Sequence, residues 1–136
     1  LTYLLDTNVV SEPRRRKPEA RVVTWLRGQD PDRLFISALT VGEIAQGAET
    51  RGRRDPVAGR SLSAWLASLR AQYGDHVLPV TDDIAETWGR LGAKRPLPVI
   101  DGLLAATALV HRLELVTRNV RDFQGLGVRL LDPWQA

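Results

Sequence analysis

The chain has 136 residues, 43% of them hydrophobic, and carries 19 basic against 16 acidic side chains for a net charge of +3. That length suits one compact domain over residues 1–136 with its own core, and the absence of cysteine excludes disulfides, zinc–thiolate sites, thiol nucleophiles and iron–sulfur ligation. No apolar run approaches the roughly 18–20 residues of a membrane span, so no membrane association and a cytoplasmic location are expected. The mild basic excess permits nucleic-acid contacts without demanding them.

The chain opens on a strand-length apolar run, Leu1-Thr2-Tyr3-Leu4-Leu5, followed at once by Asp6-Thr7-Asn8, three capping or turn-forming residues. A polar turn and a break at Pro13 and the basic run Arg14-Arg15-Arg16-Lys17 come next. Pro18 can start a helix with Val22, Val23, Trp25 and Leu26 on its apolar face, closing at Gly28. Leu34–Ser37 reads as a strand and Thr40–Thr50 as a helix, ahead of a Gly/Arg-rich loop at 52–55. A long amphipathic helix is expected over 57–73, with Leu62, Trp65, Leu66 and Leu69 on one side.

Residues 76–80 form a short strand whose Pro79 favours a sheet edge. Thr81 caps a helix through Trp88 and Leu91, and 99–111 is a nearly all-apolar helix with one acid, Asp101, in its first turn. The last elements are a strand at 113–117, a short helix or turn at 119–123 and a strand at 128–131. Trp25, Trp65 and Trp88 all fall at core-stripe spacing. Short strands alternating with helices imply a three-layer α/β/α domain around a central, mainly parallel sheet. Ligands of such sheets bind at the carboxyl ends of the strands, where strand order reverses, which directs attention to Asp6, Ser37, Thr81, Thr117, Arg118 and Asn119.

Three acids stand at such positions, and each has a plain structural explanation. Asp6 can be a helix N-cap. Thr40-Val41-Gly42-Glu43 matches a capping box, in which Glu43 would reach back to the cap. Asp101 suits the positive end of a helix dipole, yet an ionised carboxylate among such apolar neighbours is costly unless it is paired or metal-bound. Together the acids say more than singly, because the architecture brings strand ends and helix starts to one edge. Carboxylates without histidine or cysteine suit hard ions such as Mg²⁺ or Mn²⁺. Asn119 and Asp122 can complete the group or simply form a polar turn. His76 and His111 lack metal-ligand spacing, Gly125-Leu126-Gly127 lacks the context of a dinucleotide loop, and the serines lack a nucleophile elbow.

Leu4-Leu5-Asp6-Thr7-Asn8-Val9-Val10-Ser11-Glu12, Ser37-Ala38-Leu39-Thr40-Val41-Gly42-Glu43-Ile44 with Gly47, Ile100-Asp101-Gly102-Leu103-Leu104-Ala105-Ala106-Thr107-Ala108, and Leu115-Val116-Thr117-Arg118-Asn119 run in this order along nearly the whole chain. This pattern resembles PIN-domain toxins of the VapC type, especially the FitB-like branch. The resemblance implies a metal-dependent ribonuclease in which Asp6, Glu43 and Asp101 hold Mg²⁺ or Mn²⁺. Asn119 stands where a fourth acid is common, with Asp122 three residues on, and either can serve there. Thr7, Asn8 and Thr117 would orient the carboxylates, water or phosphate, and Arg14, Arg15 and Arg16 would contact RNA.

The resemblance further implies a homodimer and a small VapB-type antitoxin that inserts a peptide into the active site, the hetero-oligomer binding operator DNA through the antitoxin. Two other readings stand beside it. One is a catalytically weak PIN-like module acting mainly with its antitoxin on operator DNA. The other is a phosphatase of the haloacid-dehalogenase type, whose motif needs a second aspartate where this chain has Asn8.

Overall fold

The strands follow the apolar runs, and parallel pairing follows from the helices between them. In the computed structural model, which describes residues 1–136, these are β1 (Tyr3–Leu5), β2 (Leu34–Ser37), β3 (Val77–Leu78), β4 (Glu114–Val116) and β5 (Leu130–Leu131). They form one parallel sheet in the order β3-β2-β1-β4-β5, with Tyr3 opposite both Leu34 and Glu114. The chain steps outward from β1 to β3 and then returns to the other side of β1. Strand order therefore reverses between β1 and β4.

Seven helices surround the sheet: α1 (Thr7–Ser11), α2 (Ala20–Arg27), α3 (Ala38–Gly52), α4 (Pro56–Tyr73), α5 (Asp82–Lys94), α6 (Val99–His111) and α7 (Val120–Phe123). The period-2 pleat sends successive strand residues to opposite faces. Leu4 and Leu115 join Ile84, Leu91, Leu104 and Phe123 in a core beneath α5, α6 and α7. Leu5, Val116, Leu34 and Ile36 join Val9, Val22, Ile44 and Leu69 in a second core beneath α1 to α4. Two cores on one sheet make the expected three layers. No helix is long and apolar enough to cross a membrane.

Several expectations change. The turn after β1 is in fact the short helix α1, continued by a tight 3-10 turn at Glu12–Arg14. Its valines are poor helix formers, and burial of Val9 and Val10 in the second core supplies what propensity lacks. The strand at 76–80 shrinks to two residues because His76 closes a 3-10 turn and Pro79 has no N–H to continue the ladder. Its edge position holds. Trp88 is not core: it remains 37% exposed, with its indole seated on the backbone of Gly102.

One close approach shapes the layer over the second core. The helices α3 and α4 form an antiparallel hairpin in which a Cβ on Gly59 would lie 2.5 Å from the Cα of Gly52 and 3.1 Å from the carbonyl oxygen of Ala48. Only glycine permits that contact.

Candidate active site

Asp6 leaves the carboxyl end of β1, and its backbone N–H continues the ladder by donating to the Val116 carbonyl (2.9 Å). Its carboxylate, 8% exposed, caps α1 by accepting from the Thr7 N–H on Oδ1 (2.7 Å). The other oxygen, Oδ2, accepts from the Thr117 hydroxyl (2.8 Å) and the Asn8 amide (3.5 Å). Thr117 follows β4, so this bond spans the crevice where strand order reverses. The cap explanation of Asp6 holds, and capping is what fixes the carboxylate in that crevice.

Glu43 is a different case, and the capping-box expectation fails. The helix α3 begins at Ala38 and is capped by Ser37, whose Oγ accepts from the Leu39 N–H (3.0 Å). Thr40 lies within the first turn, fully buried, and Glu43 is one turn further along. Instead of reaching back to a cap, Glu43 Oε1 accepts from the Thr7 hydroxyl (2.6 Å), which also touches the Thr40 hydroxyl (3.1 Å). Adjacent residues Asp6 and Thr7 thus tie β1 to β4 and to α3.

Asp101 occupies the first turn of α6 as expected, half-buried, at the favourable end of the helix dipole. Burial, then the charges of Asp6 and Asp122, push its carboxyl above the ordinary range. Asp6 is pushed up as well, chiefly by burial and further by Glu43, against the opposing hydrogen bonds from Thr117 and Thr7. Asp6 therefore lies in the field of Glu43, and Asp101 in the fields of Asp6 and Asp122. None of them is among the ion pairs the protein makes, which are Arg15–Glu12, Arg21–Glu19 and Arg90–Glu86. Unpaired carboxylates with raised pKa in a crevice mark a candidate functional site. No three histidine, aspartate or glutamate side chains stand close enough together to hold a metal ion as they are placed here.

Asn119 and Asp122 lie at the N-cap and in the single turn of α7, both exposed. The Asn119 N–H donates to Thr117 Oγ1 (3.1 Å), while its side chain makes no capping bond. Asn8 does more than its polar-turn character indicates: besides reaching Asp6, its Oδ1 accepts from the Arg118 N–H (3.4 Å). The Arg118 guanidinium lies 5.0 Å from the centre of the Trp134 ring. The contacts of Thr40 with Thr7 and of Trp134 with Arg118 join segments far apart in the chain, and no local motif announces them. Arg14 is drawn to α4, donating to Ser61 Oγ (3.1 Å) and stacking over Trp65 (4.7 Å).

Residues 3–127 match the family model described as PIN domain. The chain is 31% identical to toxin FitB of Neisseria gonorrhoeae, with 96% of this chain and 97% of that one covered. It is 32% identical to VapC ribonuclease Y4jK of Sinorhizobium fredii, covering 97% of each. Among solved structures, FitAcB from Neisseria gonorrhoeae superposes with a TM-score of 0.91 at 30% identity, covering 99% of this chain and 100% of that one. FitAB bound to an IR36 DNA fragment gives 0.84 at 29%, with 98% and 96% covered.

Proposed function

The chain belongs to the PIN-domain family, and we propose that it is a divalent-metal-dependent endoribonuclease acting as the toxin of a toxin–antitoxin pair. The observation that carries this reading is the row of acids at the strand-order reversal, Glu43 acting on Asp6 and both Asp6 and Asp122 on Asp101, with none of the four in an ion pair. The names of the relatives, toxin FitB and VapC ribonuclease, point the same way. The partner is a small VapB-type antitoxin, through which the complex engages operator DNA, in keeping with the DNA-bound FitAB structure.

The donor set fits a hard cation. It contains only oxygen ligands, and the carboxyls of Asp6 and Asp101 are raised first by burial and then by neighbouring carboxylates, both of which a bound cation would offset. Asp6, Asp101 and Glu43 would hold Mg²⁺ or Mn²⁺, with Asn119 or Asp122 as the fourth group. When bound, the ion supplies positive charge at the scissile phosphate and acidifies water. Thr117 and the Thr7 N–H orient the Asp6 carboxylate, and the Thr7 hydroxyl orients that of Glu43. Asn8 holds the Arg118 backbone at the same edge, with the Arg118 guanidinium over the Trp134 ring.

The test is cleavage of single-stranded RNA by the purified, antitoxin-free chain, with Mg²⁺ and with chelator. Cleavage is expected only with the metal and is expected to vanish in Asp6→Asn and Asp101→Asn. Activity at the unsubstituted level in either variant, or undiminished by chelator, refutes the reading.

A further inference from the structure

Beyond the acids, the structure gathers cations that no step above uses. The chain turns sharply after α1, and Glu12 fastens that turn from inside. It is 4% exposed; Oε2 accepts from the Glu19 N–H (2.8 Å) and Oε1 pairs with Arg15 (3.5 Å). The loop between is thereby closed on itself, and Arg14 ties it to the α3–α4 hairpin through Ser61 and Trp65. Between them lies an open groove of about 710 Å³ lined by Arg14, Arg15, Arg16 and Lys17 from the loop, Arg51 from the end of α3, and Ser61 from α4. Arg15 has its partner in Glu12 and Arg14 is tethered to Ser61 and Trp65. Arg16, Lys17 and Arg51 make no ion pair.

The groove is connected to the acids by two helices. Asp6 caps α1, and Ser11, its last residue, lines the groove; five residues of helix rise about 7.5 Å. Glu43 stands near the start of α3 and Arg51 near its end; eight residues rise about 12 Å. Acids and arginines are thus separated by two to four stacked nucleotides at about 3.4 Å each. Arginine forks match phosphate oxygens.

We infer that this groove is a second subsite for RNA, gripping the phosphodiester backbone of the strand a few nucleotides away from the bond that is cut. The inference rests on the ribonuclease reading and deepens it. It sets the expected Arg14–Arg16 contacts in a built groove and adds Lys17 and Arg51. Arg14 is a wall of the groove, and Arg16, Lys17 and Arg51 are its free donors.

The experiment measures binding of a dye-labelled single-stranded RNA by anisotropy, in chelator so that nothing is cut, across a salt series. It compares the unsubstituted chain, the groove variant Arg16→Ser/Arg51→Ser, and a control that removes two exposed arginines elsewhere, Arg70→Ser/Arg129→Ser. Each lost phosphate contact on a single strand flattens the slope of log affinity against log salt by about 0.7. The groove variant is therefore expected to lose about 1.4 from the slope, and the control much less. Equal slopes in the two variants overturn the subsite. So does an unchanged RNA slope in a groove variant that no longer binds polyglutamate, which would give the groove to an acidic protein partner. Metal-dependent cleavage by the unsubstituted chain is read separately: its absence sinks the ribonuclease reading, whatever the slopes show.

Discussion

Replacing Thr117 by valine removes one hydroxyl from a fully buried position and leaves the shape almost unchanged. Two bonds disappear: the one donated to Asp6 Oδ2 (2.8 Å) and the one accepted from the Asn119 N–H (3.1 Å). The second costs little, since Asn119 is exposed and water can replace the hydroxyl. The first is a buried bond to a charged group, worth about 1.5–3 kcal/mol. For a chain of this length that corresponds to a fall in Tm of roughly 5–15 °C. The Thr117 bond also lowers the Asp6 pKa, so the variant's carboxyl rises further. The loss is therefore full at neutral pH and shrinks as pH falls through the variant's folded pKa, toward about 0.5–1.5 kcal/mol for a neutral bond.

Denaturant unfolding in chelator at neutral and acidic pH, repeated in an Asp6→Asn background, checks this. That background should show the smaller, pH-independent loss. An equal loss with and without the Asp6 carboxylate would mean that Thr117 acts by packing alone and would refute the reasoning. Metal-dependent cleavage should fall about 10- to 100-fold in Thr117→Val, as for other groups that orient a ligand.

Glu43→Gln should abolish most RNA cleavage yet leave denaturant stability within about 0.5 kcal/mol, because Ser37 caps α3; Ser37→Ala should cost about 1 kcal/mol instead. Gly59→Ala drives a methyl into the Gly52 backbone, and thermal melts should register a loss of about 1–3 kcal/mol from the parted α3–α4 hairpin. Asp6 and Asp101 both have folded pKa values raised above the unfolded 3.8. In chelator, their contribution to stability is therefore fullest below 3.8 and is lost as pH rises through the folded values. Asp6→Asn should accordingly be at least as stable as the parent at neutral pH, with a flatter pH profile in denaturant titrations. Asn119→Asp should lower the Mg²⁺ concentration for half-maximal cleavage and Asp122→Asn should shift it less; a metal titration with the opposite order makes Asp122 the fourth group.

Much of this protein follows from local pattern. Apolar runs ended by polar turns locate all five strands, and alternation with helices dictates a parallel three-layer sheet, since parallel strands need crossovers. Asp6 and Asp101 are legible for the same reason: strand ends and helix starts fall on one edge, and a lone acid in an apolar helix stands out. What no local pattern contains is contact between distant segments. The sequence around Thr40 is a sound capping box, but Ser37 sits at the very end of β2 and takes the cap, which frees Glu43 to meet Thr7 from 36 residues away. The helix α1 exists because Val9 and Val10 find a core, against their own propensity. Trp88 has core spacing but is left exposed where α5 meets α6 at Gly102. Arg51 becomes a neighbour of Arg16 only when the α3–α4 hairpin closes over its glycines. Position along the chain decides which residues can form an element; packing between elements decides which of them meet.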